Sequence, residues 1–322
     1  MTGLVVWTNN AMAWTLVSRE LVDMQFAADD ALIVLVSAPG ATAPGLYRWP
    51  RGAAAAKQLC TIESPASFSF DRKLIIERVG RVNSLLRLYN ANDCRVIAEI
   101  DIDGTVADAD VHGNDVALAV RLPDSQYELR LLTKRKRGYA VLAVQPASRN
   151  LELGFAPDGK TLLNFDLSDR GNGGTASSLA WRLPTLKALE LPAWAVDGQT
   201  TFVAGSRLIA RYLGNTLAVA RWPSGKLIHS VPASTSVRIR QLSGDGRFAV
   251  VHERINGADA LGWIDFATAK RVPMAQGSID HAAISATGQA LAWSMRSADS
   301  MDQISVQRTR IAPDAAVSVI EE

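Results

Sequence analysis

The residues that could do chemistry in this chain are few and scattered. Four histidines, His112, His229, His252 and His281, occur with none of the HxH or HExxH spacings that set two imidazoles on one metal ion. Two groupings place carboxylates near imidazoles: Asp108, Asp110 and His112 in one stretch, Asp280 and His281 in another. Brought together they could hold a divalent cation for hydrolysis. Their simpler role is to satisfy backbone groups or water, and this is the role expected, with no metal and no cofactor. A serine nucleophile of the hydrolase type would sit in a G-x-S-x-G elbow, and none occurs. The glycine-rich DRGNGGTASS (169–178) is not followed by a helix, so it lacks the N-terminal amides that cradle phosphate and reads as a loop. No catalytic residue is assigned.

Binding candidates are equally sparse. Lys134-Arg135-Lys136-Arg137 is the one concentrated charge. Four adjacent cations could clamp phosphate or an acidic partner, or else form a solvated turn that guards an edge strand. No aromatics interleave with them as base stacking would require, so nucleic acid is not expected. Trp14 and Trp194 are the tryptophans best placed for surface contact, since they fall outside the repeat described below. The 34 basic and 32 acidic residues leave a formal charge of +2, which names no partner. Cys60 and Cys94, the only cysteines, cannot build a disulfide framework. They read as structural residues of fourth strands in a reducing cytoplasm. The N-terminus lacks the basic and apolar regions of a signal peptide, so a cytoplasmic location is expected, or a periplasmic one if a signal peptide had been removed. No run of about 18 apolar residues suggests a membrane span.

What positions these residues is a repeated turn between two short apolar runs. The turns centre on residues 29, 72, 114, 158, 206, 245 and 287, with spacings of 39 to 48 residues and a mean of 43. Pairs such as Asp158-Gly159 and Asp245-Gly246 tolerate the positive φ that a tight hairpin needs. The runs after them, ALIVLVS (31–37) and TLLNF (161–165) among them, are short and apolar, as strands buried on both faces are. A third run and a second turn complete each unit, and four strands in about 43 residues is the period of a propeller blade. The units lie near 22–63, 64–101, 103–145, 149–192, 199–232, 236–275 and 278–322, in a single domain over 1–322.

GFAPDGKTLLNF (154–165) and QLSGDGRFAVV (241–251) resemble the inner hairpin of WD40 and related PD40 repeats. Trp181, Trp222 and Trp263, with Trp49 and Leu88 in weaker copies, stand where that family carries its Trp-Asp pair, at equivalent positions that suit packing between blades. Pro, Arg or Ile follows these tryptophans, and the family's Gly-His pair is missing. The resemblance implies an all-β, seven-bladed, WD40-like β-propeller of four-stranded antiparallel blades. GLVVWTNNAMAWTLV (3–17) parallels GLYRWPRGAAAAKQL (45–59), so residues 3–17 are expected to supply closing strands. The C-terminal run 300–322 could supply the same third and fourth strands, which leaves one pair surplus.

The resemblance also implies that first strands line a central channel, where Asp108, Asp110, His112, Asp280 and His281 could meet as in hydrolytic propellers. Against that stands the absence of any assembled catalytic set. The expected function is a non-catalytic protein-interaction scaffold for a protein or peptide partner, which bacterial WD40-like chains provide in signalling or defence assemblies. The alternatives are a metal-dependent hydrolase with a channel site and an exported TolB-like component, the latter suggested by the loop in LSDRGNGGTASSLAWRL (167–183).

Overall fold

The computed structural model describes residues 12–17, 21–37, 42–69, 73–80, 84–147, 153–156, 158–164, 180–189, 200–202, 207–213, 215–233, 237–255, 258–297 and 300–310. After β1 (Met12–Val17) comes a sheet of β2 (Leu21–Phe26), β3 (Leu32–Val36), β4 (Gly45–Trp49) and β5 (Lys57–Thr61). The second sheet holds β6 (Pro65–Phe68), β7 (Leu74–Val79), β8 (Ser84–Asn90) and β9 (Val96–Ile102). The third holds β10 (Thr105–His112), β11 (Asp115–Arg121), β12 (Tyr127–Arg135) and β13 (Gly138–Ala147). The fourth holds β14 (Leu153–Phe155), β15 (Thr161–Asn164), β16 (Ala180–Arg182) and β17 (Lys187–Leu189). The fifth holds β18 (Thr200–Phe202), β19 (Leu208–Leu213), β20 (Thr216–Arg221) and β21 (Leu227–Pro232). The sixth holds β22 (Arg238–Leu242), β23 (Phe248–Ile255), β24 (Ala258–Asp265) and β25 (Lys270–Gln276). The last combines β26 (Ile279–Ile284), β27 (Ala290–Ser297) and β28 (Ser300–Arg310) with β1, in the order β1-β28-β27-β26. Every pairing described is antiparallel.

The strands fall into two compact units. In the unit of residues 62–198 and 221–226, the second and third sheets share one core, through Ile76, Leu88, Val116 and Leu118, and the third and fourth share another, through Ala117, Leu129, Phe155 and Trp181. In the unit of residues 1–61, 199–220 and 227–322, the same arrangement joins the fifth sheet to the sixth, the sixth to the last, and the last to the first. This explains why Val116–Val120 of β11 reads VALAV without alternation: all five side chains are buried, because each face of the third sheet meets a neighbour within its unit.

The glycine turns do more than reverse the chain. Gly159 and Gly288 sit at φ +63° and +72°, conformations L residues rarely adopt. A Cβ on Gly159 would strike the His112 ring, and one on Gly288 would strike the Phe248 ring. Glycine is thus required by the close approach of the preceding sheet as well as by the backbone. Near their starts β2, β6, β10, β22 and β26 each carry a register shift, and such bulges deepen the twist that lets successive sheets pack at an angle.

Three expectations change. The tryptophans are buried but not equivalent: Trp49 and Trp181 pair with Leu32 and Leu162, the first residues beyond the turn closures at Ala31 and Thr161. Trp263 and Leu88 pair with Val250 and Ile76, two residues beyond the equivalent closures at Phe248 and Leu74. Strand alternation therefore sends Trp263 to the opposite face, against Ile284 and Trp293 of the following sheet, while Trp49 meets Ala283 and Ala292 of the preceding one. Neither terminus supplies two strands among the described residues. β28 is the third strand of the last sheet and β1 its fourth, each satisfying the other's edge, while 3–11 and 311–322 lie outside the described residues. Finally, Cys60 and Cys94 are disulfide-bonded rather than free, and Cys94 lies in the turn before β9, at φ +59°, not in a strand.

Trp49 is fully buried, and its indole N–H donates to the Ala53 carbonyl at 2.8 Å. Trp49→Ala is expected to cost about 3–5 kcal/mol, measured by urea unfolding; a loss below about 1 kcal/mol would contradict the packing described.

Candidate functional site

In the unit containing the third and fourth sheets, the acids of β10 are engaged by the neighbouring strand. Asp108 Oδ2 accepts from the Leu153 amide at 2.7 Å, and Asp110 Oδ2 from the Phe155 amide at 2.8 Å. The second Asp110 oxygen accepts from the Val111 amide at 2.7 Å. Asp110 is buried. Burial pushes the Asp108 carboxyl above the usual carboxylate range, against the pull of the Leu153 and Ala109 amides and of Arg78. His112 closes the strand with its ring 5.7 Å from that of Phe155, over the Gly159 turn. These side chains bind one sheet to the next.

Asp280 and His281 lie in the other unit, so the five candidate channel residues are divided between the two. Gln241 repeats the Asp110 device there, its Oε1 accepting from the Ile284 amide at 2.9 Å. His281 is held below the usual imidazole range chiefly by burial, with Arg240 acting in the same direction and Asp23 and Asp280 opposing. Asp280 also meets Arg296 at 3.5 Å. The remaining histidines pack locally: His229 stacks on Phe266 at 6.3 Å, and His252 lies 3.5 Å from Asp259. Among the described residues no three His, Cys, Asp or Glu side chains gather closely enough to hold a metal ion.

Lys134 and Arg135 end β12, Lys136 and Arg137 form the turn into β13, and all four are exposed. Trp14 pairs through its backbone with Val306, but its side chain, like Trp194 and the DRGNGGTASS segment, lies outside the described residues. Sequence reasoning missed two features. Glu77 is wholly buried and accepts from Tyr89 Oη at 2.6 Å and the Ser64 amide at 3.0 Å, with Arg87 at 3.6 Å; burial, then this bond, pushes the phenol up to about 12. Asp265 takes a two-pronged contact from Arg247 at 2.9 and 3.1 Å. Burial alone would raise its pKa, but the Arg247 and Ala267 hydrogen bonds outweigh that and hold it low.

No known family model matches the chain, and no curated protein does. Among solved structures, a chain of the mitotic checkpoint complex superposes with a TM-score of 0.56 over 97% of each chain at 11% identity. The fold is a β-propeller. A candidate 6-phosphogluconolactonase from Bacteroides fragilis gives a TM-score of 0.47 over 90% of this chain and 89% of that one, at 13% identity. At 11% identity the likeness to the checkpoint-complex chain is one of fold alone, and the four-stranded antiparallel blades of that fold are the sheets described above.

The propeller's inner acids make two expectations testable. Asp110→Ala leaves the Val111 and Phe155 amides without their acceptor and should cost about 1–3 kcal/mol, whereas Asp110→Asn, which keeps one carbonyl oxygen, should cost less; chemical denaturation measures both. Because burial lowers the His281 pKa in the folded chain, the unfolded chain takes up the proton first as pH falls. Its contribution is present above about pH 6.5 and declines below that. His281→Gln should flatten the stability profile from about pH 6.5 downward, and an unchanged profile would remove His281 as its source.

Proposed function

We propose that the chain is one WD40-like propeller domain with the seven four-stranded sheets as its blades, and that it serves as a non-catalytic scaffold for a protein or peptide partner. The observation that carries this reading is the engagement of Asp108, Asp110 and Gln241 by backbone amides of the next sheet. Side chains whose oxygens already hold strands together are poor candidates for binding a cation or activating water. The exposed Lys134–Arg137 turn offers a contact surface instead. The likeness to a component of a protein complex accords with this use of the fold.

We further place the protein in an oxidising compartment, such as the periplasm, rather than the cytoplasm. Both cysteines are disulfide-bonded, and such bonds persist chiefly where thiols are not kept reduced. Affinity purification from the native cells, alkylated before lysis, tests both readings. A stoichiometric protein partner, with Cys60 and Cys94 alkylated only after reduction, is the expected result. A solitary protein carrying about one equivalent of divalent metal would favour the hydrolase. Cysteines alkylated without reduction would return the chain to the cytoplasm.

A further inference from the structure

We infer that β13 is a docking edge for an extended protein segment rich in acidic and aliphatic residues, which pairs with it as a fifth strand. The inference rests on the scaffold reading and names the partner's chemistry.

β13 is the outer strand of its sheet, and among the described residues it pairs only with β12. Its ten residues exceed those of the other outer strands, which run from three in β17 to seven in β9 and β25. An edge of this kind presents a row of amide and carbonyl groups that another chain can pair with. Soluble proteins commonly blunt such edges with charge, yet GYAVLAVQPA contains no charged residue and only one proline, Pro146, near its end. β9 carries Glu99 and Asp101, and β25 carries Lys270, Arg271 and Pro273.

The edge is also apolar. Val141, Leu142 and Val144 are 57%, 40% and 47% exposed, and they make up half of the large apolar side chains most open to solvent among the described residues. Val141 pairs with Leu132 and Ala143 with Leu131, so Leu142 is the extra residue of a bulge within the pairing stretch. At one end of the strand stand Lys134, Arg135, Lys136 and Arg137, exposed and in no ion pair among the described residues. Apolar side chains along the strand ask for aliphatic partners, and the four cations ask for carboxylates. A lipid surface is the poorer match, because an open strand edge cannot enter hydrocarbon with its backbone groups unpaired.

The test uses the full chain and a fluorescein-labelled octapeptide of alternating glutamate and isoleucine, read by anisotropy. Expected is binding that weakens by roughly tenfold or more when alternate peptide amides are N-methylated, and likewise when lysine replaces glutamate. Leu142→Lys with Val144→Lys should weaken it similarly without changing the melting temperature. Should that variant unfold, the N-methylated peptide on the wild-type chain still decides. Equal binding of the methylated peptide, or no binding at all, would overturn the proposal. So would recruitment to phosphatidylcholine–phosphatidylglycerol vesicles by a chain indifferent to the peptide. A native partner captured equally by wild type and the double-lysine variant would leave the scaffold reading standing and remove β13 from it; capture of none by the wild type would strike the scaffold reading itself.

Discussion

A sheet that is apolar on both faces must be covered on both, and this constraint shapes the rest of the molecule. Runs such as Leu32–Val36 and Val116–Val120 bury every residue, so no face of those strands tolerates water. Each sheet within a unit therefore supplies cover to the next, through shared cores that draw side chains from two sheets at once. Area buried this way is the main stabilising term. Its geometry leaves the glycine turns little room, which is why Gly159 and Gly288 lie directly under His112 and Phe248.

Much of this was legible in the sequence, for a physical reason. Hairpin turns need residues that accept positive φ, so Asp158-Gly159, Asp245-Gly246 and Gly288 stand out wherever the chain must reverse. Less legible was the serine at the start of some turns. Ser69, Ser243 and Ser285 are buried, and each Oγ accepts the amide five residues on, at 2.9 to 3.0 Å. A serine looks ordinary in a sequence until its partner is known. The tryptophans misled for the opposite reason. Their residue type repeats conspicuously, but a one-residue difference in register turns Trp263 to the other face, and register is set by pairing rather than by residue type.

The polar side chains of the first strands illustrate how structure and chemistry compete for the same groups. Asp108 and Asp110 look in sequence like a ligand set beside His112, yet their oxygens compensate backbone amides that would otherwise be buried without acceptors. The same reasoning accounts for Glu77, a carboxylate buried with a phenol, an amide and a guanidinium around it. That Cys60 and Cys94 are disulfide-bonded was illegible, because neither stands in a spacing that marks a bonded cysteine.

The partnership of β1 with β28 also bears on how the protein is made. Met12 and Arg308 sit side by side although nearly 300 residues separate them along the chain. Contacts of such long range are slow to form, since the entropy of closing the loop must be met before any contact rewards it. On the ribosome β1 emerges nearly 300 residues before β28 and waits without its partner while the chain between them is synthesised, at about 5–20 residues per second. For that interval β1 is an unpaired strand in a crowded cell, and β28 lacks its outer neighbour until the two meet. The sheet that unites them thus cannot mature before both strands have been made, and until then the nascent chain depends on whatever shields β1.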